Sequence, residues 1–364
     1  MRPNPDQTKA STQGRPNRVT SMARWLSRKR GSAAATAPKV SVVIPVYNAE
    51  TTLTECLTRL YESRFQDFEA IVVDDGSTDQ SSTIAGTFPV RIVPTAGRVG
   101  PAAARNLGAR MATGEVLFFI DSDVMVRPET LPLLAESFEA GDVDGLCGVQ
   151  AAQMRYTNLA SQYKNLWMRW TYLRQTGDVP LFYTTAAAIR REAFLRVGGF
   201  DQGYATPNVE DTAFGQKLAR LGVRVRVHPD LEVEHVKQYN LWSMLRTDFM
   251  RSVSLTRLKL RHPSDLAQNN TSVPSSYVAS VPLACLTLLI ALVGLAFRLP
   301  GTAALAGAGV AGVMGLNWEF LTAIRRADGW LRMLAAVPVL WAELLVAGAG
   351  TAAGMASYPF GRRY

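Results

Sequence analysis

The 364-residue chain is short of charge: Asp, Glu, Lys and Arg make up 19% of it, against about a quarter in an average soluble domain. With an apolar fraction of 48%, that excludes a globally disordered chain and implies a part that avoids water. Cysteine is scarce too. Cys56, Cys147 and Cys285 are odd in number and never form CxxC, which excludes a disulfide scaffold and a thiolate zinc site and suits a reducing compartment. No GxGxxG follows the first apolar segment, where Ile44-Pro45-Val46 stands instead, so a nicotinamide-dependent dehydrogenase is excluded. No signal-type apolar segment lies near the N-terminus, and the expectation is that this end stays in the cytosol. No repeat with a period of 20–50 residues is visible.

The positive charge is unevenly placed. Residues 1–39 hold nine of the 39 basic residues against one acid, Asp6, so eight of the nine net positive charges sit there. This Pro-, Ser- and Asn-rich stretch has no apolar periodicity, and residues 1–38 are expected to be a disordered basic tail, attractable to an anionic membrane surface. The pI near 9.6 therefore describes the tail, and no nucleic-acid partner is expected.

What is abundant is apolar sequence at the C-terminal end. Leu266–Phe297 and Leu299–Trp318 carry no charge, and Met333–Tyr358 carries only Glu343. Each meets or approaches the roughly 20 residues that cross a bilayer, predicting membrane helices over about 277–297, 299–318 and 333–358 within a 266–364 membrane region. The stripe Gly307, Ala311 and Gly315 is expected to pack helices closely. Arg325, Arg326 and Arg332 place the intervening loop in the cytosol by the positive-inside bias. Two crossings separate that loop from the N-terminal body, so a multi-pass protein of the inner membrane with a cytosolic body is expected. A mid-membrane carboxylate is costly unless paired, so Glu343 leaves a full crossing by the third run open. Ahead of these runs, Leu241–Arg261 within 237–265 places Trp242, Leu245, Phe249, Val253 and Leu260 on one side. Basic residues flank them, suiting a helix in a membrane interface or packed on the body.

Residues 39–236 read as an α/β domain. Val40–Val46, Ala70–Val73, Val90–Val93, Val116–Ile120 and Val223–Val227 are expected strands. Ala49–Arg64, with Asn48 as a cap, and Pro101–Ala112 are expected helices. That alternation argues for a largely parallel sheet, with ligands collecting beyond the carboxyl ends of its strands. Two of those ends are acidic, Asp74-Asp75 and Asp121-Ser122-Asp123. Clustered like charges repel unless a cation or polar ligand joins them, and hard oxygen ligands suit Mg²⁺ or Mn²⁺ on a diphosphate.

Seven segments occur in an order that resembles the inverting family 2 glycosyltransferases of the GT-A fold. They are Ser41–Asn48 (SVVIPVYN), Val72–Asp79 (VVDDGSTD), Gly100–Gly108 (GPAAARNLG), Phe119–Asp123 (FIDSD), Ile189–Phe194 (IRREAF), Gly198–Asp201 (GGFD) and Glu210-Asp211. The resemblance covers roughly residues 40–236. It implies a Rossmann-like mixed sheet that binds a nucleotide-diphosphate sugar, followed by the α-helical membrane region. It also implies a divalent cation but fixes neither sugar nor acceptor; Glu210-Asp211, a base that an ionised phosphate would not need, favours a hydroxyl of a lipid-linked or glycan acceptor, with membrane lipid around the anchor. A polyprenyl phosphate acceptor is the alternative, and so is an idle nucleotide-binding scaffold.

By the same resemblance, Pro45 and Tyr47 line the nucleotide site, Asp74 or Asp75 bonds the base, and Arg105 helps hold the nucleotide. Asp121 faces the ribose or sugar, Asp123 binds the metal, and His235 completes that site. Asp211 is the general base, with a purely helix-terminal acid as the plainer reading. Arg169-Trp170 resembles the end of the QxxRW signature of processive synthases, but Leu166 replaces the Gln and the segment precedes Glu210-Asp211.

Overall fold

Val40–Val46 (β1) is buried on both faces, as a central strand of a covered parallel sheet must be. The computed structural model describes residues 39–204, 208–261 and 271–359; the basic tail lies outside them. The chain continues through α1 (Leu53–Tyr61), β2 (Phe68–Asp74), α2 (Ser81–Ala85), β3 (Arg91–Pro94), α3 (Pro101–Met111), β4 (Val116–Ile120) and β5 (Val124–Val126). Then come α4 (Thr130–Glu139), β6 (Gly145–Gln150), α5 (Leu159–Leu173), β7 (Ala186–Arg190), α6 (Arg191–Arg196), α7 (Glu210–Arg220) and β8 (Val225–His235).

The eight strands form one mixed sheet ordered β3-β2-β1-β4-β7-β6-β8-β5. The first four are mutually parallel, while β7 runs antiparallel to both β4 and β6. The sheet separates two apolar layers. Even-numbered residues of β1 (Val40, Val42, Ile44 and Val46) face Leu53, Leu57 and Leu60 of α1; Val43 faces Ala104 and Ala109 of α3.

Some local expectations shift. The first helix begins at Leu53, because Asn48 is not its cap. Asn48 adopts a left-handed conformation (φ 49°), and its Oδ1 accepts the Thr78 N–H at 2.8 Å, tying β1's end to the acidic loop. β8 is eleven residues long and reaches His235, beyond the expected Val223–Val227. Its polar residues hid it, since only Val225, Leu231 and Val233 are buried.

After the sheet come α8 (Leu241–Arg261), α9 (Ser275–Phe297), α10 (Thr302–Leu316) and α11 (Trp318–Ser357). Two of these, α9 and α11, are long and apolar enough to cross a membrane. The second apolar run yields only the 15-residue α10, about 22 Å at 1.5 Å per residue and short of a 30 Å hydrocarbon core. The third run is part of a 40-residue helix that starts at Trp318 and kinks at Gly329 (φ 83°).

The closely packed glycines also differ from those expected. Gly307 and Gly315 have open space where a Cβ would stand, whereas Gly350 and Gly354 of α11 touch α8. A Cβ on Gly354 would lie 2.9 Å from the Val253 carbonyl and 2.8 Å from the Thr256 Cβ. Helix α8 therefore lies along α11, with Met244, Asp248, Val253 and Leu258 buried and Trp242 and Met250 exposed. The buried face is rotated from the one read on the helical wheel, because α11 covers it.

Helix α5 joins the sheet to these helices. Trp167 packs on Tyr277 of α9 and Phe320 of α11, at 4.6 and 4.9 Å between ring centres. Arg332 donates to the Thr157 carbonyl at 2.6 Å, so the Arg325–Arg332 segment sits against the α/β body. Glu343 accepts the Tyr163 hydroxyl at 2.6 Å and lies 3.9 Å from Lys164, which also pairs with Asp248. The one carboxylate of the third run is thus met by the body.

Candidate active site

Beyond the carboxyl ends of β1, β2 and β4 lies a cavity of about 910 Å³. Of the residues singled out in the sequence, Pro45, Tyr47, Asp75, Arg105, Asp121, Asp123, Asp211 and His235 line it; Asp74 does not. Asp74 instead accepts the Ser77 N–H at 2.9 Å, closing the turn after β2.

At the β1–β2 end, Asp75 is buried and accepts the N–H groups of Val99 and Gly100 at 2.8 and 2.9 Å, plus the Thr95 hydroxyl at 3.1 Å. Gly100 has φ 91°, where a side chain would be strained, and its turn delivers Pro101 to the first position of α3. Arg98 from this loop stacks over the exposed Tyr47 ring at 4.1 Å. Asn106 holds the Gly198–Asp201 turn by donating to the Phe200 carbonyl and accepting its N–H, at 2.8 and 2.9 Å.

In the middle, Asp121, Asp123 and His235 place one ligand atom each within 4.8 Å of one another. β5 pairs antiparallel with β8 so that Val124 faces His235, and the Val236 N–H donates to the Asp123 carbonyl at 2.8 Å. This register brings His235 Nε2 to 3.2 Å from Asp123 Oδ2 across 112 residues of chain. Burial alone would raise the Asp123 carboxyl; His235, then Lys237, hold it below its ordinary value. Two carboxylate oxygens and one imidazole suit a cation of the Mg²⁺ or Mn²⁺ type.

Arg105 joins the middle to the far end. Its guanidinium is almost wholly buried and donates to Asp121 at 2.7 Å and Glu210 at 3.1 Å. Burial opposes its charge, but the two carboxylates outweigh burial and hold it protonated. It is therefore a strut between carboxylates, with only its Nε unpartnered. Glu210, given no role in the sequence reading, is the strut's second anchor and also accepts the Asn208 N–H at 2.8 Å.

Asp211 follows on the first turn of α7, beside Glu210. A helix N-terminus favours a charged carboxylate, yet burial, then Glu210, push Asp211 up to about 6, while Arg251 and the Thr212 N–H pull the other way. Its burial beside Glu210 thus makes Asp211 a far better proton acceptor than an exposed aspartate.

Lys164, Arg246 and Arg251 also line the cavity and were not singled out as site residues. Arg246 and Arg251 lie on the expected Leu241–Arg261 helix, and Lys164 left no local signal in the sequence. Arg169 is spent elsewhere, on the Gln150 carbonyl and Glu232.

Residues 41–198 match the family described as "Glycosyl transferase family 2". They form a family 2 glycosyltransferase domain. A glycosyltransferase of Streptococcus pneumoniae, GlyG, is 35% identical over 114 residues, 30% of this chain and 38% of that protein. Validoxylamine A glucosyltransferase of Streptomyces hygroscopicus subsp. jinggangensis is 27% identical over 274 residues, 64% of this chain and 63% of that one. Among solved structures, the mannosyltransferase PcManGT of Pyrobaculum calidifontis, in complex with GDP-Man and Mn²⁺, superposes with a TM-score of 0.51. It covers 94% of this chain and 95% of its own at 20% identity, a likeness of fold. The glycosyltransferase domain thus has the GT-A architecture and is continuous, through α5 and α8, with the apolar C-terminal helices.

Proposed function

We propose that the protein is a membrane-anchored inverting glycosyltransferase that moves a sugar from a nucleoside-diphosphate donor to a hydroxyl of a lipid-linked or glycan acceptor. The observation that carries this reading is the order of groups along one cavity. A cation-fitting Asp121–Asp123–His235 cluster lies in its middle, and a carboxylate with a raised pKa, Asp211, lies beyond it. Inversion needs a hydroxyl deprotonated on one face of the sugar while a diphosphate departs from the other, so base and leaving-group site must be separate groups.

In this reading Tyr47 and Arg98 cover the nucleotide and Asp75 holds the loop that carries Arg98. Asp121, Asp123 and His235 hold a divalent cation, which when bound neutralises charge on the departing diphosphate. Asp211 takes the proton from the acceptor hydroxyl, and Arg105 fixes Asp121 relative to Glu210, the neighbour of Asp211. A polyprenyl phosphate acceptor would ionise without a base, and the raised pKa of Asp211 favours a hydroxyl.

Membrane attachment rests on α9 and α11. The cytosolic side is assigned to the α/β body from Arg325, Arg326 and Arg332, since the Arg332–Thr157 contact ties that segment to it. A screen of nucleotide sugars with the full chain in detergent, reading nucleoside diphosphate release, tests the proposal. Release should need Mn²⁺ or Mg²⁺, and Asp123→Asn should weaken metal-dependent donor binding because an amide lacks the charge that holds the ion. Full turnover in excess chelator would refute the metal assignment.

A further inference from the structure

Two arginines that line the cavity are treated differently by the fold. Arg105 spends both Nη groups on carboxylates. Arg251, reaching in from α8, faces Asp211, Tyr172, Tyr183 and Asp248, yet among the described residues it has no hydrogen bond or ion pair. Arg246, five residues earlier on α8, also lines the cavity and has no carboxylate partner among the described residues, whereas Lys237 lies beside the Asp121–Asp123 pair. Arg251 is half-buried and its guanidinium donors are left free among the described residues, so this wall can receive an anion. The cluster that suits the donor's diphosphate comes from the β4–β5 turn and β8, whereas Arg246 and Arg251 come from α8.

We propose that Arg251, with Arg246, forms a subsite for a phosphoryl group carried by the acceptor, seated beside Asp211 so that the attacking hydroxyl meets its base. This rests on Asp211 being the acceptor-side base. Guanidinium forks match phosphate oxygens in geometry and charge. The helix that presents both cations also exposes Leu241, Trp242 and Met250 and lies along the apolar α11, so the phosphoryl group is lipid-borne and enters from the membrane side.

The test uses the full chain in detergent micelles and reads ligand-dependent thermal stabilisation, from which an apparent affinity follows. The lipid probes are decaprenyl phosphate and uncharged decaprenol; the soluble probes are glycerol 1-phosphate and glycerol. Decaprenyl phosphate should stabilise the wild type and decaprenol should not. Arg251→Gln should weaken the phosphate probe by about tenfold or more, the usual worth of a charge-assisted contact, and Arg251→Lys by less. Affinity for a nucleoside diphosphate with Mn²⁺ should stay within about twofold in both variants.

If Arg251→Gln binds decaprenyl phosphate as the wild type does, or loses nucleoside diphosphate in equal measure, the subsite is refuted. Should that variant not fold, the same comparison with Arg246→Gln, at the cavity's exposed rim, decides. Glycerol 1-phosphate binding as tightly as decaprenyl phosphate would overturn the lipid source. Arg251-dependent phosphate binding in a protein that takes up no nucleoside diphosphate would keep the subsite and sink the glycosyl-transfer reading instead.

Discussion

The two halves of the cavity are built on different terms. On the donor side nearly every polar side chain already has a partner: Asp75 accepts three donors, Asn106 clamps Phe200, and Arg105 spans Asp121 and Glu210. On the side proposed for the acceptor, Arg246 and Arg251 stand without partners among the described residues, and Asp211 carries a charge its burial resists. A pre-satisfied half holds a constant ligand in one pose and pays no reorganisation when that ligand arrives. A half left unsatisfied is selective, since it rewards only a partner that completes it.

The sharpest way to break this contrast is Asp211→Asn. Donor affinity by calorimetry should stay near wild type, while transfer at saturating donor falls by roughly 10²–10⁴, the usual worth of a general base. Transfer above about a tenth of the wild-type rate would leave Asp211 as a helix-terminal acid. The wild-type kcat/KM should rise with pH through about 6, as Asp211 becomes a carboxylate. Stability should move the opposite way. The folded pKa lies above the unfolded value of 3.8, so the contribution is whole below about pH 4 and is lost as pH climbs through about 6. Chemical denaturation should therefore find Asp211→Asn gaining on the wild type between pH 4 and 8, by at most about 3 kcal/mol.

A smaller effect is expected from Asp75→Asn. Its amide cannot accept all three donors, so the 95–100 loop should loosen at a cost of about 1–3 kcal/mol. Nucleotide affinity should drop up to about tenfold, with kcat at saturating donor little changed. A kcat loss larger than the affinity loss would show that the donor side is not merely a holding frame.

The smallest change should come from Gly354→Leu, which forces α8 away from α11 at about 1–3 kcal/mol of overpacking. Transfer should fall a few-fold through the acceptor KM, with nucleotide binding untouched. Equal damage to both would mean the halves are mechanically one.

The donor side was legible in the sequence because its residues come in short runs at strand ends. Apolar stretches mark β1, β2 and β4, and the acids that follow them sit where a parallel sheet collects ligands. The bounds of α8 were legible for a similar reason, since periodicity carries through Leu241–Arg261. What stayed hidden depends on distant pairings. Arg105 and Glu210 are 105 residues apart, and nothing local in either segment announces their ion pair. Likewise β7 reverses the sheet, and its Ala-rich sequence carries no mark of direction. The glycines that pack α8 on α11 were missed because a spacing of four recurs in both apolar runs, and only the partner helix tells which copy is used.

That packing fixes which part of the chain carries the wall proposed for the acceptor. Arg246, Thr247, Met250 and Arg251 ride on a helix whose other side is seated on Gly350 and Gly354. A fragment ending before Leu241 would keep the entire sheet and every donor contact, but no surface from α8 on which to choose an acceptor. On the proposed reading, selectivity for what receives the sugar is inherited with the C-terminal helices, and could be exchanged between proteins by exchanging them.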